Sequence, residues 1–167
     1  AADVLLDSLM GSNEAPLKRR VLDADLGDDF SAILLDGMLQ PQIMFILKGA
    51  HEGVAEQFRT LVETTCAELA EGGIPADKLR ASIAQAEFNL REAEFGVADG
   101  VAYAVACLSS WLYDDDDPVS YLRYEQSLAN MKVGLANGYF EQLLREMVPE
   151  NGHSALVDLV PVAEGDS

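Results

Sequence analysis

Two short apolar runs, set close together, do most to narrow what this chain can fold into. Phe30 to Leu35 and Gln42 to Lys48 are each the length of one strand. Asp36-Gly37 supplies a turn signal between them, and Pro41 bounds the second run. The runs are near enough to pair as a hairpin. The second is apolar on both of its faces, so it is expected in the interior of a sheet.

Helical patterns surround this pair. Val4, Leu5, Leu6, Leu9 and Met10 recur at helical spacing, and Gly11 ends that segment. Pro16 suits the first turn of a second helix, which runs through Leu17 to about Leu26 before Gly27. After the hairpin, Val54, Phe58, Leu61, Val62, Thr65 and Leu69 share one face of a helix over residues 52–71. Gly72-Gly73 breaks it. Pro75 opens another helix to about Phe95, with Leu79, Ile83, Ala86 and Leu90 as its stripe and Phe88 beside it. Further helices are expected over 101–113, from Pro118 to about Lys132, and over 135–147. Ser154 to Val160 reads as a closing strand. The tail after Pro161 reads as disordered, giving a single domain over 1–161 and a flexible tail over 162–167.

The order of elements is thus two helices, two strands, five helices and one strand. That is an α/β chain of the α+β kind, with an antiparallel-rich sheet against several helices. Three strands make a thin sheet for so many helices. The chain also starts on Ala1-Ala2-Asp3 at the head of a helix, without a methionine. A strand preceding Ala1 would explain the shortage, so the domain is expected to be truncated at its N-terminus. An unpaired sheet edge would then invite weak self-association.

Charge excludes one class of partner. The 167 residues carry 29 acids against 11 bases, a net charge of −18. Binding nucleic acid requires a cationic face that displaces counterions from phosphates, and this chain is poorly placed to build one. No apolar run approaches the roughly 20 residues of a membrane span. Secretory and lipidation signals are not seen, which reads as cytoplasmic. Cys66 and Cys107 each lie among apolar or small residues of a helix, the pattern of two buried thiols in a reducing compartment. A disulfide between them is the alternative.

Residues that could carry chemistry are few. A catalytic zinc needs three protein ligands and an open position, and an inverted His-x-x-Glu-His motif supplies two of them from one helix face. The only histidines, His51 and His153, stand about a hundred positions apart. His51 is expected at a strand-to-helix junction and His153 in a local turn. Asp114-Asp115-Asp116-Asp117 suggests calcium, but four consecutive acids diverge and lack the spaced ligands and glycine of a calcium loop. An exposed loop ending with Asp117 as a helix cap before Pro118 accounts for them better. Glu87 and Arg91 are spaced to form a surface ion pair on one helix. Ser109, Ser110 and both cysteines have no base nearby in sequence. No catalytic, cofactor-binding or metal-binding residue is therefore assigned.

Four passages in order resemble one family. The first is Leu9-Met10-Gly11 with Ala15-Pro16-Leu17 and Leu26-Gly27. The second is Glu87-Phe88-Asn89-Leu90-Arg91-Glu92. The third is Ser110-Trp111-Leu112-Tyr113, then Asp117-Pro118, Tyr121-Leu122 and Tyr124-Glu125. The fourth is Tyr139-Phe140-Glu141-Gln142-Leu143-Leu144, then Asn151-Gly152-His153 and Val160-Pro161. Together they resemble the presequence-protease (falcilysin-like) subfamily of the pitrilysin/insulinase zinc metallopeptidases. Ala15 replaces the family's usual serine, and four aspartates replace its Gly-Asp loop. The resemblance implies a long enzyme of four similar domains in two halves that close around a peptide, with zinc in the first domain. This chain matches most of the second, a LuxS/MPP-like domain without the metal motif. The implied role is a non-catalytic chamber wall, whose partners are the other domains and the enclosed peptide substrates. A free-standing adaptor of the same fold, without enzyme activity, is the alternative.

Overall fold

The computed structural model describes residues 1–36, 38–92 and 98–161. Two helices come first: α1 (Ala2–Met10) and α2 (Pro16–Asp23). A hairpin follows, β1 (Asp29–Leu35) and β2 (Gln42–Lys48). Then come α3 (Ala55–Gly72), α4 (Ala76–Glu92), α5 (Asp99–Trp111), a 3-10 turn (Ser120–Leu122), α6 (Glu125–Gly134) and α7 (Tyr139–Met147). The fold is α+β, as the two kinds of periodicity require.

The hairpin is antiparallel, with Phe30 opposite Leu47, Ala32 opposite Phe45 and Leu34 opposite Ile43. These residues share the face turned to the helices. Phe30 is fully buried there, stacked on Phe45 with ring centroids 6.1 Å apart and edge-on to Phe58 of α3 at 5.5 Å. The other face pairs Ile33 with Met44, and both are exposed. Among the described residues the sheet has these two strands only, so both are edge strands. The expectation that β2 lies inside a sheet is not met: its second apolar face is uncovered here.

The core is one cluster. Leu5 and Leu9 of α1 meet Leu17 and Val21 of α2, Phe58, Val62 and Cys66 of α3, and Leu79 and Ile83 of α4. Leu128 and Met131 of α6 and Phe140 and Leu144 of α7 complete it. Each of these six helices donates residues spaced three or four apart, which places them on one stripe. Polar contacts fix the helix ends. Arg145 of α7 donates to the Ala70 carbonyl at 3.0 Å, and the Ile74 N–H donates to Glu141 at 3.0 Å. Both serve backbone groups that the end of α3 leaves without helical partners.

Gly27 lets the α2–β1 connection press against the end of β2. The Asp28 N–H donates to the Lys48 carbonyl at 2.8 Å, and the His51 N–H donates to the Leu26 carbonyl at 2.9 Å. A Cβ on Gly27 would sit 2.9 Å from the Lys48 oxygen and 3.1 Å from the Ala50 Cα.

Several sequence expectations are corrected. Residues 154–160 form no strand. Their apolar residues come in adjacent pairs, Leu156-Val157 and Leu159-Val160, so no single face collects them for burial. Leu159 is 90% exposed, and the hydroxyl of Ser154 is held by Arg59 of α3 at 3.0 Å. No helix starts at Pro118. The Asp117 carboxylate pairs with Arg123 instead of capping, a 3-10 turn follows, and α6 begins at Glu125. The last helix begins at Tyr139, not Leu135, because Gly138 takes φ +75° just ahead of it. Helix α2 ends at Asp23, before Leu26. The expected end of α4 at Phe95, the glycine at 37 in the hairpin turn and the tail 162–167 lie outside the described residues.

Candidate functional site

A cluster of polar contacts lies where α5 passes through the 3-10 turn into α6. Ser110 is the one residue of α5 that is buried among those described. Its hydroxyl donates to the Asp117 carbonyl at 2.6 Å and lies 2.5 Å from the Ser120 hydroxyl. This folds the intervening loop back on the helix end. Within the loop, the Asp116 N–H donates to the Asp114 carboxylate at 3.0 Å, a local aspartate turn. Arg123 neutralises Asp117. Asp114, Asp115 and Asp116 point to solvent.

A shallow cavity of about 290 Å³ adjoins this junction, lined by Ser120, Tyr121, Arg123, Tyr124 and Ser127. Hydroxyl groups and one guanidinium make it suited to hydrogen bonding. It holds no base that could activate a serine, since no histidine or carboxylate lines it. Ser110 is committed to the Asp117 carbonyl and Ser120, which is a structural use of the hydroxyl.

The other sequence candidates fall in separate places. His51 stands in the connection between β2 and α3, exposed, with its N–H bonded to Leu26. His153 is exposed in a turn where its N–H donates to the Asn151 side chain at 2.8 Å. The positions match the junction and turn expected for them. Among the described residues, no three of the His, Cys, Asp and Glu side chains converge as metal ligands would. Cys66 and Cys107 are both free thiols, which removes the disulfide alternative. Cys66 is buried as expected, whereas Cys107 is half-buried. Burial pushes the Cys66 thiol up to about 12, so it stays protonated and unreactive near neutrality.

The Glu87–Arg91 pair forms at 2.5 Å, and a partner not anticipated from sequence joins it. Lys132 of α6 reaches Glu87 at 2.5 Å, tying α4 to α6. The Lys132 hydrogen bond, then the Arg91 charge, hold the Glu87 carboxyl below its ordinary range. No spacing rule could have found Lys132, which lies 45 positions away.

Sequence reasoning also missed the apolar side of α5. Val101, Val105, Leu108 and Leu112 line it at helical spacing, and all are exposed. None of the core or core-packed residues comes from α5. The available signal was the absence of any charged residue from Gly100 to Tyr113.

Comparison with known proteins gives the decisive observation. The chain is 32% identical over 166 residues to presequence protease 1, chloroplastic/mitochondrial, of Arabidopsis thaliana, covering 95% of this chain and 15% of that protein. This chain is homologous to a segment of a presequence protease. It is also 37% identical over 162 residues to protein HypA of Clostridium perfringens (strain 13 / Type A), covering 96% of this chain and 16% of HypA. The chain therefore spans about one sixth of the length of either relative. No family model matches it. The homology supports the pitrilysin/insulinase relationship that the four sequence passages suggest. No helix among the described residues is long and apolar enough to cross a membrane.

Proposed function

We propose that this chain is a non-catalytic domain, the second of four, in a longer zinc-dependent metallopeptidase of the presequence-protease subfamily. It walls the chamber in which peptides are degraded and supports the domain that holds the zinc. The observation that carries this reading is the homology to presequence protease 1 across 95% of this chain. The residues present do not fit a zinc site of their own: His51 and His153 belong to no His-x-x-Glu-His motif and occupy separate exposed loops. No catalytic step is therefore assigned to any side chain here. What the chain contributes is shape, an acidic surface of net charge −18 and rigid packing. Such a surface would attract basic peptides at low ionic strength.

The test begins with the gene. The reading expects a His-x-x-Glu-His motif within a few hundred residues upstream of Ala1, and its absence there would refute the assignment. The full-length polypeptide should cleave unstructured peptides and lose that activity to a chelator. This chain alone, with or without added zinc, should cleave none.

A further inference from the structure

We infer that the exposed apolar side of α5 is an interface that packs against another part of the same longer polypeptide. The inference rests on the reading of the chain as one domain of such a polypeptide. Helix α5 departs from every other helix in the fold. Residues 100–113 carry no Asp, Glu, Lys or Arg, although charged residues make up 24% of the chain and about three would be expected in a stretch this long. Val101, Val105, Leu108 and Leu112 are 54%, 57%, 52% and 72% exposed, and Trp111 stands beside them exposed as well. They repeat at intervals of four, three and four, which is a single continuous stripe.

A helix that carries no charge on any side beyond its first residue, Asp99, has the composition of a covered element more than of a solvated one. Yet α5 gives nothing to the core, and its substantial packing among the described residues is against the 3-10 turn alone. An apolar stripe three turns long, bordered by Asp114 to Asp117, has the make-up of an interface: apolar centre, charged rim.

Charge decides which occupant fits. A second copy would bring its own net charge of −18 and its own acidic rim. With two stripes parallel, Asp114–Asp117 would face the same four residues. With them antiparallel, the four would face Asp99 at the other end of α5. Both arrangements place like charges at the edge of a desolvated contact. An apolar face edged by lysine or arginine avoids this. The remainder of the polypeptide is the available source, because the relatives extend about five-sixths of their length beyond the homologous segment.

Cysteine accessibility tests the assignment. Val105→Cys and, independently, Leu108→Cys are placed in a Cys107→Ser background, both in this chain and in the full-length polypeptide. Maleimide labelling at each position is followed by peptide mass spectrometry. Both sites should label rapidly in this chain and at least tenfold more slowly in the full-length protein, with the difference abolished by denaturant. Equal rates in a full-length protein that does contain the flanking domains would overturn the interface while leaving the domain assignment standing. Slow labelling in this chain alone that quickens on dilution would make a second copy the occupant and also overturn it. A gene that encodes nothing beyond this chain would instead refute the domain assignment on which the interface rests.

Discussion

Cys66 and Cys107 look alike in sequence, each a thiol within an apolar helix, and the fold separates them. Cys66 faces the centre of the core from α3, where burial raises its thiol to about 12. Cys107 is half-buried on a helix outside the core. Thiol reagents at pH 8 should therefore modify Cys107 and spare Cys66 in the folded chain, and modify both in denaturant. Labelling of Cys66 at a comparable native rate would contradict its placement. Glu87 provides the pH-sensitive counterpart. Its carboxyl is held below the ordinary value, so the folded state favours the charged form. Its stabilising contribution is present above the unfolded-state value and is lost as pH falls through the folded-state one. Glu87→Gln should lower the thermal midpoint at pH 7 by no more than about 2 °C, the scale of surface pairs, and the difference should shrink as the pH is lowered below the ordinary carboxylate range.

At the scale of elements, the hairpin and its helical cover were the most legible part of the sequence. Period-two and helical periodicities rest on local geometry, so β1, β2, α1, α3 and the stripe of α4 fall where the pattern places them. Boundaries set by distant partners were not legible. Asp117 has the sequence of a cap before Pro118, but Arg123 takes its carboxylate and Ser110 its carbonyl. The closing strand failed although both edges of the hairpin are open, because its adjacent apolar pairs give no single face to bury against the helices. Two substitutions probe what does hold the hairpin. Phe30→Ala removes a fully buried ring from between Phe45 and Phe58 and should cost about 3–5 kcal/mol in denaturant unfolding. Gly27→Ala pushes a methyl against the Lys48 carbonyl and Ala50 backbone, neither of which can swing aside as a side chain could. It should cost roughly 1–3 kcal/mol, read as a lower urea midpoint at unchanged slope.

For the whole molecule, two apolar surfaces remain uncovered among the described residues: the outer face of the hairpin and the stripe of α5. The hairpin leaves its strand edges open as well, and open edges template pairing. We expect weak self-association of this chain through those edges, rising with added salt as the charge of −18 is screened. Sedimentation at high protein concentration and high salt that shows only monomer would refute this.

The residues by themselves determined the α+β class, the hairpin, the acidic surface and the lack of a zinc motif, because each depends on composition or on near neighbours along the chain. Only the tertiary structure decided that α5 stands outside the core, that Lys132 joins α4 to α6, and that residues 154–160 leave both open edges of the hairpin unpaired. Those outcomes depend on which surfaces meet across long sequence separations, and an apolar helix reads the same in sequence whether its face is buried or bare.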